Sequence, residues 1–220
     1  SLMRRGCSYV VVKGVFSADE VAAANAAVDA HLDQQLERRA GLRNSRENTA
    51  MSGDGRTGRL DLGRCLEWAS PHSDVFRSLL AHPRMVPYFH ELLGKGYRMD
   101  HLPLVLAQNC GAEGFQLHGG VTAPVTGKFQ PHLEYSFRHG TMHNMLLGCT
   151  VQLVDHDPAD GGFCIVKGSH KANYAMSEAM VHGFEGSEHI YQPVTQAGDV
   201  LLFSEAATHG CAGDRLSLPC

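Results

Sequence analysis

The sequence predicts a single α+β domain that is mainly β. Helical signals are confined to the first part of the chain, and after Gly96 the texture changes to short apolar or alternating segments bounded by glycine, proline or aspartate. Short strands at such turn-punctuated spacing are typical of a β-sandwich or barrel. At 220 residues the chain is long enough to bury one full core. We therefore expect one domain over 1–220, with a helical part at about 1–95 packed on a β core at about 96–220.

The N-terminal part begins with an apolar strand at 9–12 and a well-marked helix start. Ser17 is followed three residues later by Glu20, the capping-box pattern, and Phe16 and Val21 are placed to form a hydrophobic staple. Apolar residues then recur at helical spacing, which predicts a helix over 18–38 with one buried face. The apolar positions of this face are Val21, Val28, Leu32 and Leu36.

A long polar segment and two short helices follow. Residues 40–64 carry no periodicity, and loops of this length are often functional, so we expect a lid near the site. The stretches 74–80 and 83–93 have helical spacing, with Pro83 suited to a first turn and Gly94 to a C-cap. Six segments then have the strand pattern: 97–100, 102–108, 145–154, 162–166, 191–194 and 200–203.

Composition and charge exclude several classes of function. The net charge of -4 provides no basic field for nucleic acid or an anionic membrane, and no run of about eighteen apolar residues could span a bilayer. The seven cysteines form no C-x-x-C pair and no signal peptide precedes them, so we expect reduced thiols and an intracellular, cytoplasmic protein. A P-loop, a serine-hydrolase elbow and an H-E-x-x-H helix are missing from the sequence.

Two histidines associated with apolar strands are the candidate metal ligands. His118 follows an apolar strand in Gln116-Leu117-His118-Gly119-Gly120, and His209 is expected at the far end of the strand that begins at Val200. Imidazoles delivered by strands far apart in sequence are how a β-barrel assembles a metal centre, and imidazole suits Fe(II).

The surrounding motifs resemble the phytanoyl-CoA dioxygenase family of Fe(II)- and 2-oxoglutarate-dependent oxygenases. The resemblance lies in the Asp160-Gly161-Gly162 turn and the Gly168-Ser169-His170-Lys171 stretch that follows it, in Ala197-Gly198-Asp199 before an apolar strand, and in the opening strand and helix over 9–36. It implies a double-stranded β-helix, or jelly roll, with bound Fe(II), 2-oxoglutarate as co-substrate, and dioxygen and a small organic molecule as the other reactants.

The family's usual ligand set is His-x-Asp on one strand and a distal histidine. By position, His118 and His209 match the two histidines, but Gly120 stands where the carboxylate would be. Three alternatives follow. An exogenous anion takes the open position, as in the radical halogenases of this superfamily; a carboxylate arrives from elsewhere, with Glu134 and Asp100 as candidates; or the site is degenerate and the protein is a non-catalytic jelly-roll binder.

The resemblance also implies residues for the co-substrate. The far carboxylate of 2-oxoglutarate needs a fixed cation, and Arg215 with Ser217 fits the family's Arg-x-Ser setting, while Asn144 is a further polar candidate. The chain ends at Cys220, where the family would continue with another strand, so we expect a clipped C-terminus. A weaker alternative is a cupin-like metalloenzyme that uses no oxo acid.

Overall fold

The computed structural model describes residues 7–39, 49–158 and 160–214, and these residues form mainly β structure with a few helices. The strands are β1 (Tyr9–Val12), β2 (Leu36–Arg38), β3 (Arg59–Leu62), β4 (Val105–Ala107), β5 (Phe115–His118), β6 (Tyr135–Arg138), β7 (Thr141–Asn144), β8 (Leu147–Val151), β9 (Gly162–Val166), β10 (Ile190–Tyr191), β11 (Val200–Ser204) and β12 (His209–Ala212). The α-helices are α1 (Ala18–Asp29), α2 (His72–Leu79), α3 (Val86–Leu93) and α4 (Glu178–Val181). Short 3₁₀ helices occur at Leu32–Gln34, Pro131–Leu133, Ser169–Lys171 and Ser187–His189.

Two antiparallel sheets face each other across the centre of the molecule. One has the strand order β1-β11-β8 and the other β10-β9-β12-β5. Ile165 of β9 packs in one buried cluster with Leu201 and Phe203 of β11, so apolar side chains of the two sheets meet between them. A smaller sheet, β2-β3-β4, and the hairpin β6-β7 complete the β structure of the described residues.

The capping box that the sequence predicts at Ser17 is present. The Ser17 side chain accepts from the backbone N–H of Glu20, and Glu20 accepts from the backbone N–H of Ser17. Phe16 is buried in the same cluster that Val21 packs against. The predicted extent of the helix is wrong, however, because α1 ends at Asp29 and Leu36 belongs to β2.

The reason for this early end is a long-range strand pairing. Leu36 pairs with Asp61 of β3, and its side chain is 56% exposed rather than part of a buried helical face. The apolar residues over 18–38 that have helical spacing therefore belong to two different elements, the helix α1 and the strand β2. The buried face of α1 is formed instead by Ala24 and Ala27, which pack with Trp68 and Phe76.

Other predicted elements are confirmed in part. The two short helices exist as α2 and α3, with Gly94 as the C-cap of α3. Five of the six predicted strands correspond to β4 and to β8–β11, but 97–100 forms no strand. The expected loop at 40–64 contains β3, and residues 40–48 of the lid expected there lie outside the described residues. The strand predicted at 9–12 is confirmed as β1, whereas β2 and β3 are strands of the N-terminal part that the sequence pattern did not predict.

Five cysteines are free thiols: Cys7, Cys65, Cys149, Cys164 and Cys211. Cys110 is disulfide-bonded, so the expectation of reduced thiols throughout is wrong for this residue. Among the helices of the described ranges, none has the length and apolarity needed to cross a membrane.

Asp199 ties the start of β11 to the turn after β1. Its carboxylate, 2% exposed, accepts from Lys13 Nζ at 2.7 Å and from the backbone N–H groups of Gly14 and Gln196, both at 2.8 Å. Burial alone would raise the pKa of Asp199, but the bonds from Lys13, Gln196 and Gly14 outweigh it and hold the pKa below its usual range. The family-like Gly-Asp motif thus acts here as a structural anchor.

Replacing Asp199 with asparagine should lower the free energy of unfolding at pH 7 by about 2 kcal/mol, because buried charge-assisted bonds are lost. Most of the loss comes from the two backbone bonds, since Lys13 is largely exposed and its ion pair is screened. A lowered folded-state pKa contributes stability that is present above the unfolded value of about 3.9 and disappears as pH falls through the folded value. Urea unfolding should therefore show the difference between D199N and the parent shrinking below about pH 4. The exposed Asp33→Asn is the control, and an equal effect in both variants would contradict this role.

Candidate metal centre

Strands β5 and β12 place the two predicted histidines side by side. His209 is the register partner of His118 in this antiparallel pair. The two ring centroids lie 4.2 Å apart, with the ring planes inclined by 54°. The structure therefore brings together the two imidazoles that the sequence singled out. His209 begins β12, however, so the expectation that it ends the preceding strand is wrong.

Glycines allow the chain to come this close. Gly119 follows His118 with a φ of +85°, and a Cβ there would lie 2.9 Å from Nδ1 of His209 and would also overlap the carbonyl oxygen of Ala207. A Cβ at Gly210 would lie 2.7 Å from the carbonyl oxygen of Phe115. Any larger residue at these two positions would push β5, β12 and the turn before β12 apart.

Both imidazoles are oriented by backbone carbonyls. Nδ1 of His118 lies 3.0 Å from the carbonyl oxygen of Gln116, and Nδ1 of His209 lies 2.8 Å from that of Ala207. A carbonyl only accepts, so Nδ1 carries the hydrogen in each neutral ring and Nε2 keeps a lone pair. A histidine whose Nδ1–H is held in this way is the usual form of a ligand that binds a metal through Nε2.

Burial keeps both rings uncharged. It lowers the pKa of His118 to about 4, with a further lowering from the neighbouring His209. Burial likewise lowers the pKa of His209 to about 4, against a smaller opposite effect of the bond to Ala207. Metal binding requires neutral imidazole, so protons compete little with a metal for these nitrogens at neutral pH.

Aromatic rings form the walls around the pair. Phe203 lies 4.6 Å from the ring of His209, Phe163 lies 6.0 Å from it, and Phe115 lies 5.1 Å from the ring of His118. These apolar faces restrict the imidazoles and reduce the access of water.

Glu205 is a carboxylate at the site that sequence reasoning missed. It lies in the turn between β11 and β12, and its Oε2 is 3.4 Å from Nε2 of His209. Burial raises the pKa of Glu205, while the nearby His118 and His101 oppose that shift. The spacing Glu205-x-x-x-His209 was the available signal, but the family pattern directs attention to the residues after His118. In the described ranges, no three His, Cys, Asp or Glu side chains form a ready-made metal cage as they stand.

The other candidate carboxylates are not brought to the pair. Asp100 is exposed, and Glu134 is partly buried at the end of a 3₁₀ helix. Within the described part of the chain, no hydrogen bond or ion pair joins either residue to His118 or His209.

Asn144 lies close to the site but is engaged with the protein. Its Oδ1 accepts from Ser204 Oγ at 2.5 Å, and its Nδ2 donates to the carbonyl oxygen of Leu146 at 3.1 Å. The structure therefore places Asn144 as a support of the turn that carries Glu205. Arg215 and Ser217, expected to hold the co-substrate, lie outside the described residues.

In metal-free protein, NMR of ¹⁵N-labelled imidazoles should show the Nδ1–H tautomer for His118 and His209, with titration midpoints near pH 4. The physical reason is burial together with the two carbonyl bonds. Signals are assigned by comparison with His118→Gln and His209→Gln. A midpoint near the ordinary value of about 6.5, or the Nε2–H tautomer, would contradict this arrangement.

Solved structures of similar fold include three enzymes. HygX from Streptomyces hygroscopicus, in a structure with nickel, 2-oxoglutarate and hygromycin B bound, has a TM-score of 0.71 and 20% identity over 97% of this chain and 80% of its own. The epimerase SnoN, in complex with Fe3+, alpha ketoglutarate and nogalamycin RO, has a TM-score of 0.62 and 20% identity over 97% and 76%. The non-heme alpha ketoglutarate dependent carbocyclase SnoK has a TM-score of 0.65 and 19% identity over 97% and 76%.

Sequence comparisons give the family. No curated protein sequence matches the chain. The family model described as phytanoyl-CoA dioxygenase (PhyH) matches residues 8–215, nearly the whole sequence. The chain therefore belongs to the phytanoyl-CoA dioxygenase family.

Proposed function

We propose that this protein is an Fe(II)- and 2-oxoglutarate-dependent oxidoreductase that uses dioxygen to oxidise a small organic substrate, with hydroxylation as the expected outcome. The observation that carries the proposal is the neutral pair His118 and His209, register partners on β5 and β12 with both Nε2 atoms left as lone-pair donors. Family membership and the fold shared with enzymes solved with iron or nickel and 2-oxoglutarate support it.

The residues present fit the proposed metal. Two imidazole nitrogens and a carboxylate oxygen are a ligand set that suits non-haem Fe(II). Such a set leaves coordination positions for a bidentate oxo acid and dioxygen. The candidate ligands are imidazoles and a carboxylate, not thiolates, which argues against a structural zinc site held by cysteines. The two facing sheets that enclose the pair are proposed to be the halves of a double-stranded β-helix.

The chain's own residues hold and shield the reacting groups. Fe(II) and 2-oxoglutarate, when bound, supply the oxidising chemistry, in which dioxygen is reduced and the oxo acid is converted to succinate and carbon dioxide. His118 and His209 would hold the metal through rings that the carbonyls of Gln116 and Ala207 orient. Phe203 limits water at His209. Arg215 and Ser217 are proposed to bind the far carboxylate of 2-oxoglutarate, because arginine's planar fork matches a carboxylate in two parallel bonds.

The substrate is proposed to be a small organic molecule, on the support of fold relatives solved with hygromycin B and nogalamycin RO. SnoN and SnoK are described as an epimerase and a carbocyclase, so proteins of this fold include enzymes whose named reactions are not hydroxylations. A halogenase would differ in needing chloride for product formation. A non-catalytic binding protein would differ in neither binding Fe(II) nor releasing succinate.

Anaerobic addition of Fe(II) and 2-oxoglutarate should produce the visible absorption band of a chelated oxo acid, and admission of air should yield succinate. His118→Ala and His209→Ala should each reduce succinate release by at least about a hundredfold, because each removes a metal donor. Exposed His189→Ala is the control and should retain the activity of the parent. Succinate release that is unchanged in both ligand variants would refute the proposed centre.

Arg215→Lys should raise the KM for 2-oxoglutarate by about tenfold or more while leaving the affinity for Fe(II) alone unchanged, because lysine cannot make the paired bonds. Arg77→Lys on the exposed surface of α2 is the matched control. Steady-state succinate release against 2-oxoglutarate concentration gives the KM. Identical KM values in both variants would show that another cation holds the co-substrate.

A further inference from the structure

We infer that Glu205 is the third protein ligand of the metal and supplies, from the turn between β11 and β12, the carboxylate that Gly120 lacks. The inference rests on the proposed function, since it concerns the same iron centre. It goes beyond family resemblance, which points to the residue two positions after His118.

The spacing between donor atoms supports this role. Oε2 of Glu205 and Nε2 of His209 lie 3.4 Å apart. Two donors bound to one ion at about 2.1 Å each lie about 3.0 Å apart at a right angle and about 3.4 Å apart at a tetrahedral angle. The observed 3.4 Å is about 0.4 Å longer than the right-angled separation of a six-coordinate ion, so only a small shift of the Glu205 side chain is needed to reach it.

The hydrogen-bonding state of His209 supports it independently. Because Nδ1 donates to the carbonyl oxygen of Ala207, Nε2 has no hydrogen to give to the carboxylate. An unprotonated nitrogen and a carboxylate oxygen therefore face each other across 3.4 Å within a largely buried site. Two acceptors in this position need a proton or a metal cation between them, and a divalent metal satisfies both at once when it displaces the proton.

The backbone places Glu205 opposite the glycine it would compensate. The N–H of Gly120 donates to the carbonyl oxygen of Glu205 at 3.0 Å. Gly120 has a φ of +95°, a conformation that L-residues rarely adopt, so an aspartate at this position would be strained. A carboxylate on the facing turn reaches the same centre without that strain.

The turn is held firmly while the side chain is free to adjust. The N–H of Glu205 donates to the carbonyl oxygen of Leu146 at 3.1 Å, and the Ser204 hydroxyl accepts from Ala206 N–H at 3.2 Å while donating to Asn144. The Glu205 side chain is 23% exposed. The described residues form no complete cage in their present rotamers, so metal binding would require at least the Glu205 side chain to move.

The test is anaerobic calorimetric titration with Fe(II), in the absence and presence of 2-oxoglutarate, supported by absorption spectra with Co(II). Glu205→Gln should weaken Fe(II) binding by at least about a hundredfold, since residues outside the coordination sphere alone are worth about 10- to 100-fold. Glu205→Asp should recover part of the loss. Glu188→Gln, an exposed glutamate, is the matched control, and thermal unfolding confirms that each variant is folded.

Each other outcome overturns a defined statement. Parent-like Fe(II) affinity in folded E205Q would show that Glu205 only positions His209, and the inference would fail while the proposed function stands. A parent affinity that depends on chloride and is unaltered by E205Q would assign the third position to an exogenous anion. Loss of binding in Glu134→Gln but not in E205Q would assign it to Glu134. A parent protein that binds no Fe(II) would remove the proposed function itself.

Discussion

The antiparallel pairing of β5 with β12 is the contact on which the candidate centre depends. It sets His118 directly across from His209 and brings the two rings to 4.2 Å. That distance exists only because Gly119 and Gly210 present no side chains to the facing backbone. Neighbouring strands support this pairing. β9 continues the sheet beside β12, and apolar residues of β11 in the facing sheet pack against it.

Two buried imidazoles this close destabilise the fold when they become charged. Protonation of both would place like charges together in a site screened from water, and burial therefore favours the neutral forms. The carbonyls of Gln116 and Ala207 then choose which nitrogen keeps its hydrogen. Strand pairing brings the two rings together, burial keeps them neutral, and the two carbonyls fix the tautomer. Both Nε2 atoms therefore carry a free lone pair before any metal is bound.

Part of this could be predicted from sequence because the signals were local. The Ser17 capping box reports its own surroundings, and the structure confirms it. The end of α1 could not be predicted, since Leu36 continues the apolar spacing yet pairs with Asp61 far along the chain. Glu205 was missed for a related reason. Its approach to His209 arises from a turn that crosses between two sheets, which no periodicity records.

In a His-x-Asp site the negative charge comes from an aspartate two residues after the first histidine. In the site proposed here it comes from Glu205, in the turn before β12. A metal responds to donor type and position, not to the order of residues along the chain. The turn before β12 holds Glu205 against Gly120 through a backbone bond, so the carboxylate would enter from this turn. A Cβ at Gly120 would have no heavy atom nearer than Thr122 O at 3.5 Å, so its absence sacrifices little packing. Glycine at this position therefore leaves one flank of the proposed centre open, and Glu205 is the carboxylate that we propose in its place.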